Sequence, residues 1–115
     1  MLVINISKKN LNKYGYKDFE DWSKDTNNLY IGRNVVYVGA KKSKWANPFS
    51  VKEYGRDKCL ELYKNYVLNN KNLMDDLFEL KGKTLGCWCS PEKCHGDILI
   101  DLVKQHCTKH DTKLL

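Results

Sequence analysis

The sequence predicts an α/β fold: a small single-domain sandwich with a mostly parallel sheet flanked by helices. Three observations carry this. Segments rich in β-branched and aromatic residues alternate along the chain with segments of helical period. Residues 83–106 read as one strand–loop–helix unit, the most legible piece of that alternation. And 115 residues, 42% hydrophobic and 30% charged, are enough for one modest core.

Residues 2–6 are rich in Val and Ile and read as a first strand. Residues 8–28 are polar, with turn signals at Tyr14-Gly15-Tyr16 and Asp25-Thr26-Asn27-Asn28. Within them Tyr16, Phe19 and Trp22 recur at three-residue spacing, as in a short helix laid on the core. Leu29-Tyr30-Ile31 and Val35-Val36-Tyr37-Val38, bracketed by Gly32 and Gly39, read as a strand pair or one bent strand. Residues 40–49 fit no helical period, and Pro48 restricts Asn47 to extended geometry, so this is an ordered loop. A helix follows from about Arg56 to Leu68, with Cys59, Leu62, Tyr63, Tyr66 and Val67 on one face. Leu73, Met74, Leu77, Phe78 and Leu80 suggest a shorter one, N-capped by Asn72. Lys83 to Cys89 reads as a buried strand, and the last helix runs from about Asp97 to His106. The domain is expected to cover residues 1–107, with 108–115 a flexible polar tail.

No stretch approaches the roughly 18 apolar residues of a membrane span, and the first residues lack the pattern of a signal peptide. No membrane association is therefore expected, and the cytoplasm is the default location (host cytoplasm if the protein is viral). Five cysteines, an odd number, argue against a disulfide framework and for reduced thiols. The net charge of +6 suits an anionic partner. However, the lysines are scattered and accompanied by many asparagines, as A+T-rich coding would produce, so charge alone is a weak sign of nucleic-acid binding. The same bias makes the two arginines, Arg33 and Arg56, informative. A planar fork is hard to replace with lysine at a phosphate or carboxylate site.

Chemistry concentrates in Gly86-Cys87-Trp88-Cys89-Ser90-Pro91-Glu92-Lys93-Cys94-His95-Gly96-Asp97. Ligands of open α/β sheets bind outside the carboxyl ends of strands, and a helix start there favours anions and thiolates. Cys94, or else Cys89, is the thiolate candidate, His95 the acid/base neighbour and Asp97 an orienting group or helix cap. Cys94 is accordingly expected to react with alkylating agents faster than Cys59 or Cys87. Zinc is the competing use of the same loop, through Cys87, Cys89, Cys94 and His95. Their spacing is crowded for a tetrahedral site, and the expectation is no resident metal or cofactor. Cys59 and Cys87 also read as small core hydrophobes, and Cys107 as incidental.

Two further segments suit ligand recognition. In Lys44-Trp45-Ala46-Asn47-Pro48-Phe49, Lys44 could meet a phosphate, Trp45 stack on a base and Asn47 read its edge. Their structural alternative is a loop pinned to the core by its aromatics. Arg56 opens a helix, an awkward place for a cation unless a ligand anion or a carboxylate answers it. Arg33, after Gly32, makes a similar case.

The ordered set Tyr30-Ile31-Gly32-Arg33, Lys44-Trp45-Ala46-Asn47-Pro48-Phe49, Tyr54-Gly55-Arg56-Asp57, Lys81 to Cys89 and Cys94-His95-Gly96-Asp97 resembles domain of unknown function family 4326. That family occurs in phages, bacteria and large viruses. The likeness spans about residues 29–103 and implies that these segments form one site, without naming an activity. Ala46 stands where many relatives are expected to carry glycine. The cysteine loop is also similar to the end of another uncharacterised family, where a cysteine strand leads to Cys-His-Arg. Gly96 takes that arginine's place, so Arg33 or Arg56 would have to supply the anion contact.

The functional expectation is a small intracellular enzyme acting on a nucleotide, nucleoside or related phosphorylated ligand, by hydrolysis or group transfer. The alternatives are a non-enzymatic nucleotide or nucleic-acid binding module and a zinc-stabilised interaction domain. The site expectation is specific: Arg56, Trp45 and His95 should line one pocket.

Overall fold

The computed structural model describes residues 1–89 and 92–114, with residues 108–114 as helical backbone only. Its centre is a parallel sheet of β1 (Leu2–Asn5), β2 (Asn28–Tyr30) and β3 (Thr84–Cys87), in the order β1-β3-β2. The central strand β3 pairs Leu85 with Val3 and Leu29, and Gly86 with Ile4 and Tyr30. Because side chains alternate along a strand, this register sorts the sheet into two faces. Val3, Leu29 and Leu85 belong to the larger cluster, with Tyr63, Val67, Leu73, Leu99 and Leu102. Ile4 belongs to the smaller one, with Ile6, Leu11 and Trp22, and Tyr30 packs against it.

The smaller face is covered by α1 (Lys8–Lys13) and α2 (Phe19–Ser23). Ser7 caps the first, accepting from Asn10 N at 3.4 Å, and Asp18 caps the second, accepting from Asp21 N at 2.9 Å. The short aromatic helix read from Phe19 and Trp22 is α2, and it buries Trp22 completely. The larger face is covered by α4 (Arg56–Leu68), α5 (Lys71–Asp76) and α6 (His95–Leu114). A further turn, α3 (Val51–Tyr54), precedes α4. Gly55 joins them at φ +78°, a left-handed conformation that only glycine adopts without strain.

Several elements differ from expectation. Val36–Val38 is a 3₁₀ turn rather than a strand, and Val36 and Tyr37 are 81% and 88% exposed instead of packed on a sheet. The cap of α5 is Asn70, whose Oδ1 accepts from Leu73 N, rather than Asn72. Helix α6 starts at His95 and continues through the segment read as a tail; Leu115 lies outside the described residues. Cys107 is a core residue of α6, so it is not incidental.

Candidate functional site

At the carboxyl ends of β2 and β3 the chain opens a cleft of about 500 Å³, a volume suited to a small organic ligand. Gly32, Arg33, Asn34 and Val35 enter it from β2, and Cys87, Trp88 and Cys89 from β3. Arg56 opens α4, and Cys94 and His95 open α6. Both helix starts therefore meet where α/β ligands bind. Asn47, Ser50, Lys52 and Cys59 complete the polar lining. Charged side chains in that lining are Arg33, Lys52 and Arg56; no carboxylate is among the described residues of the wall.

Cys94 immediately precedes α6 and acts as its cap. Its Sγ accepts from Gly96 N at 3.3 Å, while Asp97 Oδ2 accepts from Cys94 N at 2.9 Å. This is the reciprocal logic of a capping box, with sulfur in the hydroxyl's place. Cys87 Sγ lies 3.2 Å from Cys94 Sγ. That hydrogen bond holds the Cys94 thiol below its ordinary value; the Gly96 N–H helps, and burial opposes. Cys89 shows the opposite pattern. Its hydrogen bond with Cys87, then burial, pushes the thiol well up, against the weaker pull of Arg56. Of the two candidate thiols, Cys94 is thus held down and Cys89 pushed up.

His95 spends one ring nitrogen on the backbone. Its Nε2–H donates to the Ile31 carbonyl at 2.7 Å, since a carbonyl can only accept, and its ring meets Tyr63 edge-on at 5.1 Å. Burial pushes its pKa down, so the ring is neutral at pH 7, with Nδ1 as the lone-pair nitrogen. A depressed histidine contributes stability that is present above the ordinary value of about 6.5 and is lost as pH falls through the lower folded value. Acidification below pH 6.5 is therefore expected to destabilise the wild type more than His95→Gln, whose amide N–H can still reach Ile31. Urea midpoints across that range would show it, and parallel curves for the two proteins would refute it.

The arginines have protein partners. Arg33 Nη2 donates to the carbonyls of Asn47 (3.3 Å) and Phe49 (3.1 Å). Arg56 Nη1 donates to Lys93 O at 2.7 Å, and Nη2 pairs with Glu92 Oε2 at 2.8 Å. The carboxylate anticipated for Arg56 is thus Glu92, and the fork ties the start of α4 to the cysteine loop. Each guanidinium has further N–H groups for a ligand. Asn47 spends its carboxamide internally: Nδ2 donates to Cys59 Sγ at 3.1 Å and Oδ1 accepts from Phe49 N at 2.9 Å. It shapes the wall.

Two candidates are corrected. Trp45 is 1% exposed, its Nε1–H donates to Glu79 at 2.9 Å, and Tyr63 O–H donates to its carbonyl at 2.7 Å. A ring so buried cannot stack on a base, so the expected pocket of Arg56, Trp45 and His95 loses its middle member. Lys44 lies outside the cleft and pairs with Asp76 and Glu79, both at 2.8 Å, over the Trp45 ring. It anchors the loop instead of meeting a phosphate. The substitution of glycine for arginine at position 96 also takes another meaning. A Cβ on Gly96 would stand 2.8 Å from Val3 Cγ2 and 3.0 Å from Ile31 Cδ1, so the position faces the sheet. Sequence reasoning missed Ser50 and Lys52. The Ser50-Val51-Lys52-Glu53 capping pattern could have revealed the first, whose Oγ accepts from Glu53 N; the second is one lysine among many.

Ser90 and Pro91 of the cysteine loop lie outside the described residues. Among the described residues, no group of three or more His, Cys, Asp or Glu is placed to hold a metal ion, and no helix is long and apolar enough to cross a membrane.

Cys94, Arg33 and Arg56 thus line one cleft at the carboxyl edge of a small parallel sheet. Residues 16–105 match the family described as Domain of unknown function (DUF4326), and the chain belongs to it. It is 41% identical over 87 residues to "Uncharacterized protein R718" of Acanthamoeba polyphaga mimivirus, covering 66% of this chain and 66% of that protein. It is 31% identical over 94 residues to the "Uncharacterized 12.4 kDa protein in nrdA-td intergenic region" of Enterobacteria phage T4, covering 70% of this chain and 87% of that protein. No solved structure matches.

Proposed function

We infer that this protein is a small cytoplasmic enzyme acting on a nucleotide, nucleoside or related phosphorylated ligand, by hydrolysis or group transfer. One observation carries the reading: Cys94 and the guanidiniums of Arg33 and Arg56 line the same cleft. The cations suit a phosphate or another anionic group. The thiolate is the nucleophile: its sulfur bonds to the group transferred, and the leaving group departs with the bonding pair. His95, neutral and tethered through Nε2–H, keeps Nδ1 to take a proton from the water or hydroxyl that releases the group and restores the thiolate. Asp97 is a positioning residue, because it fixes the backbone of Cys94.

Thermal unfolding with a panel of nucleoside 5′-phosphates, free nucleosides and a short single-stranded oligonucleotide tests the binding half. A nucleoside phosphate is expected to raise Tm in a saturable way; a hundredfold excess over Kd stabilises by about 2.7 kcal/mol. Arg33→Ala is expected to abolish the shift. Stabilisation by the oligonucleotide but by no mononucleotide would replace the enzyme reading with a nucleic-acid binding module, and no shift by any member would overturn both.

A further inference from the structure

The sulfur atoms of Cys87 and Cys94 face each other at 3.2 Å inside the cleft wall, bridging the end of β3 and the start of α6. The two thiols are differently placed. Cys94 sits on a helix N-terminus and takes the Gly96 N–H, which favours a thiolate. Cys87 is its immediate hydrogen-bonding neighbour. Cys59 is occupied otherwise, donating to Phe49 O and accepting from Asn47 Nδ2, and Cys107 lies in the core further along α6. Cys87 and Cys94 are 1% and 2% exposed, and both line the cleft, from which an oxidant as small as hydrogen peroxide reaches them.

We propose that Cys87 and Cys94 form a peroxide-sensitive dithiol that closes to a disulfide and reopens on reduction. In the first step the Cys94 thiolate attacks one oxygen of hydrogen peroxide. An S–O bond forms, the O–O bond breaks, and hydroxide leaves, so Cys94 becomes a sulfenic acid. In the second step Cys87 sulfur attacks Cys94 sulfur. The S–S bond forms, the S–O bond breaks, and the departing hydroxide takes the Cys87 proton as water. Sulfur is oxidised and peroxide reduced; an external thiol pair reverses the change. Closure needs little movement, since the sulfurs already touch. It removes the thiolate that faces the cleft, so the couple is a switch on whatever chemistry Cys94 performs. The inference rests on the sulfur geometry and stands apart from the identity of the substrate.

The test treats the folded chain with hydrogen peroxide, blocks remaining thiols by alkylation and digests with trypsin. Cleavage after Lys83, Lys93 and Lys104 places Cys87 and Cys89 on peptide 84–93 and Cys94 on peptide 94–104. The expected product is these two peptides joined, with an intact mass lower by two hydrogens and full recovery of both thiols after reduction. Cys89→Ser, at an exposed position, is expected to leave the bridge unchanged, and Cys87→Ser to yield a sulfenic acid on Cys94 that a 1,3-diketone traps. The proposal is overturned if Cys59 or Cys107 oxidises first, if the joined peptides vanish in Cys89→Ser, or if they form only once the chain is unfolded.

Discussion

Gly86→Ala is expected to lower the stability of the fold by about 3 kcal/mol, the upper part of the range for overpacking a core. Gly86 lies on the central strand, paired with Ile4 on one side and Tyr30 on the other, so the backbone cannot move aside. An added Cβ would stand 2.6 Å from Ile6 Cγ2 and 2.9 Å from Trp22 Cζ2, nearer still to the tip of the indole. Both side chains are 1% exposed. The indole itself is boxed in, tilted against Phe19 at 5.8 Å. For a domain of this size that loss corresponds to a fall in Tm of roughly 10–15 °C. A second substitution makes the cause visible. Trp22→Phe removes the ring that the new methyl strikes, and it forfeits no hydrogen bond, because Trp22 Nε1 has no partner among the described residues. In the Gly86→Ala background it is expected to cost less than in the wild type, a favourable coupling in a double-mutant cycle. Additive losses, or an unchanged denaturation midpoint for Gly86→Ala, would show that the ring is not what excludes a side chain there.

The same contact shows what the sequence could convey. Trp22 was readable as a core residue, because Phe19 and Trp22 share a helical spacing, but its packing on Gly86 comes from residues far along the chain. Helix α4 and strand β3 were legible because each has an uninterrupted pattern of its own: Cys59, Tyr63 and Val67 at helical period, and a short apolar run between Gly82 and the cysteine loop. Helix α1 was not, since Leu11 is its one buried residue and a single apolar side chain makes no period. In the site, the placing of Arg56 and His95 on one cleft followed from two helix starts at the carboxyl ends of neighbouring parallel strands. Trp45 misled because a tryptophan between lysine and asparagine looks like a ligand platform. The groups that fix it in the core, Tyr63 and Glu79, are distant in sequence. Likewise the proximity of Cys87 to Cys94 depends on how the loop returns, which spacing does not encode.

Cys94→Ser is expected to keep the fold and abolish the proposed turnover, whereas Cys94→Ala should lose both some stability and all turnover. The distinction follows from the two jobs of one sulfur. As a cap it accepts the Gly96 N–H, and a serine hydroxyl does this at least as well. Alanine leaves that N–H without its acceptor, at a cost of about 1 kcal/mol. As a nucleophile the sulfur acts through its thiolate, and no hydroxyl ionises as readily. The thiolate also leaves a signature that needs no substrate. Because the folded pKa of Cys94 is depressed, the unfolded chain binds more protons at this residue between the folded value and the ordinary thiol value. Stability from this source is present above the ordinary value and is lost as pH falls through the folded one. The difference in unfolding free energy between wild type and Cys94→Ser should therefore grow as pH rises across that window, while the thiolate absorbance of the wild type grows with it. Subtracting the serine variant removes contributions common to both proteins, His95 among them. A flat difference, with no thiolate band lost in Cys94→Ser, would reduce Cys94 to a helix cap and leave the cleft without its nucleophile.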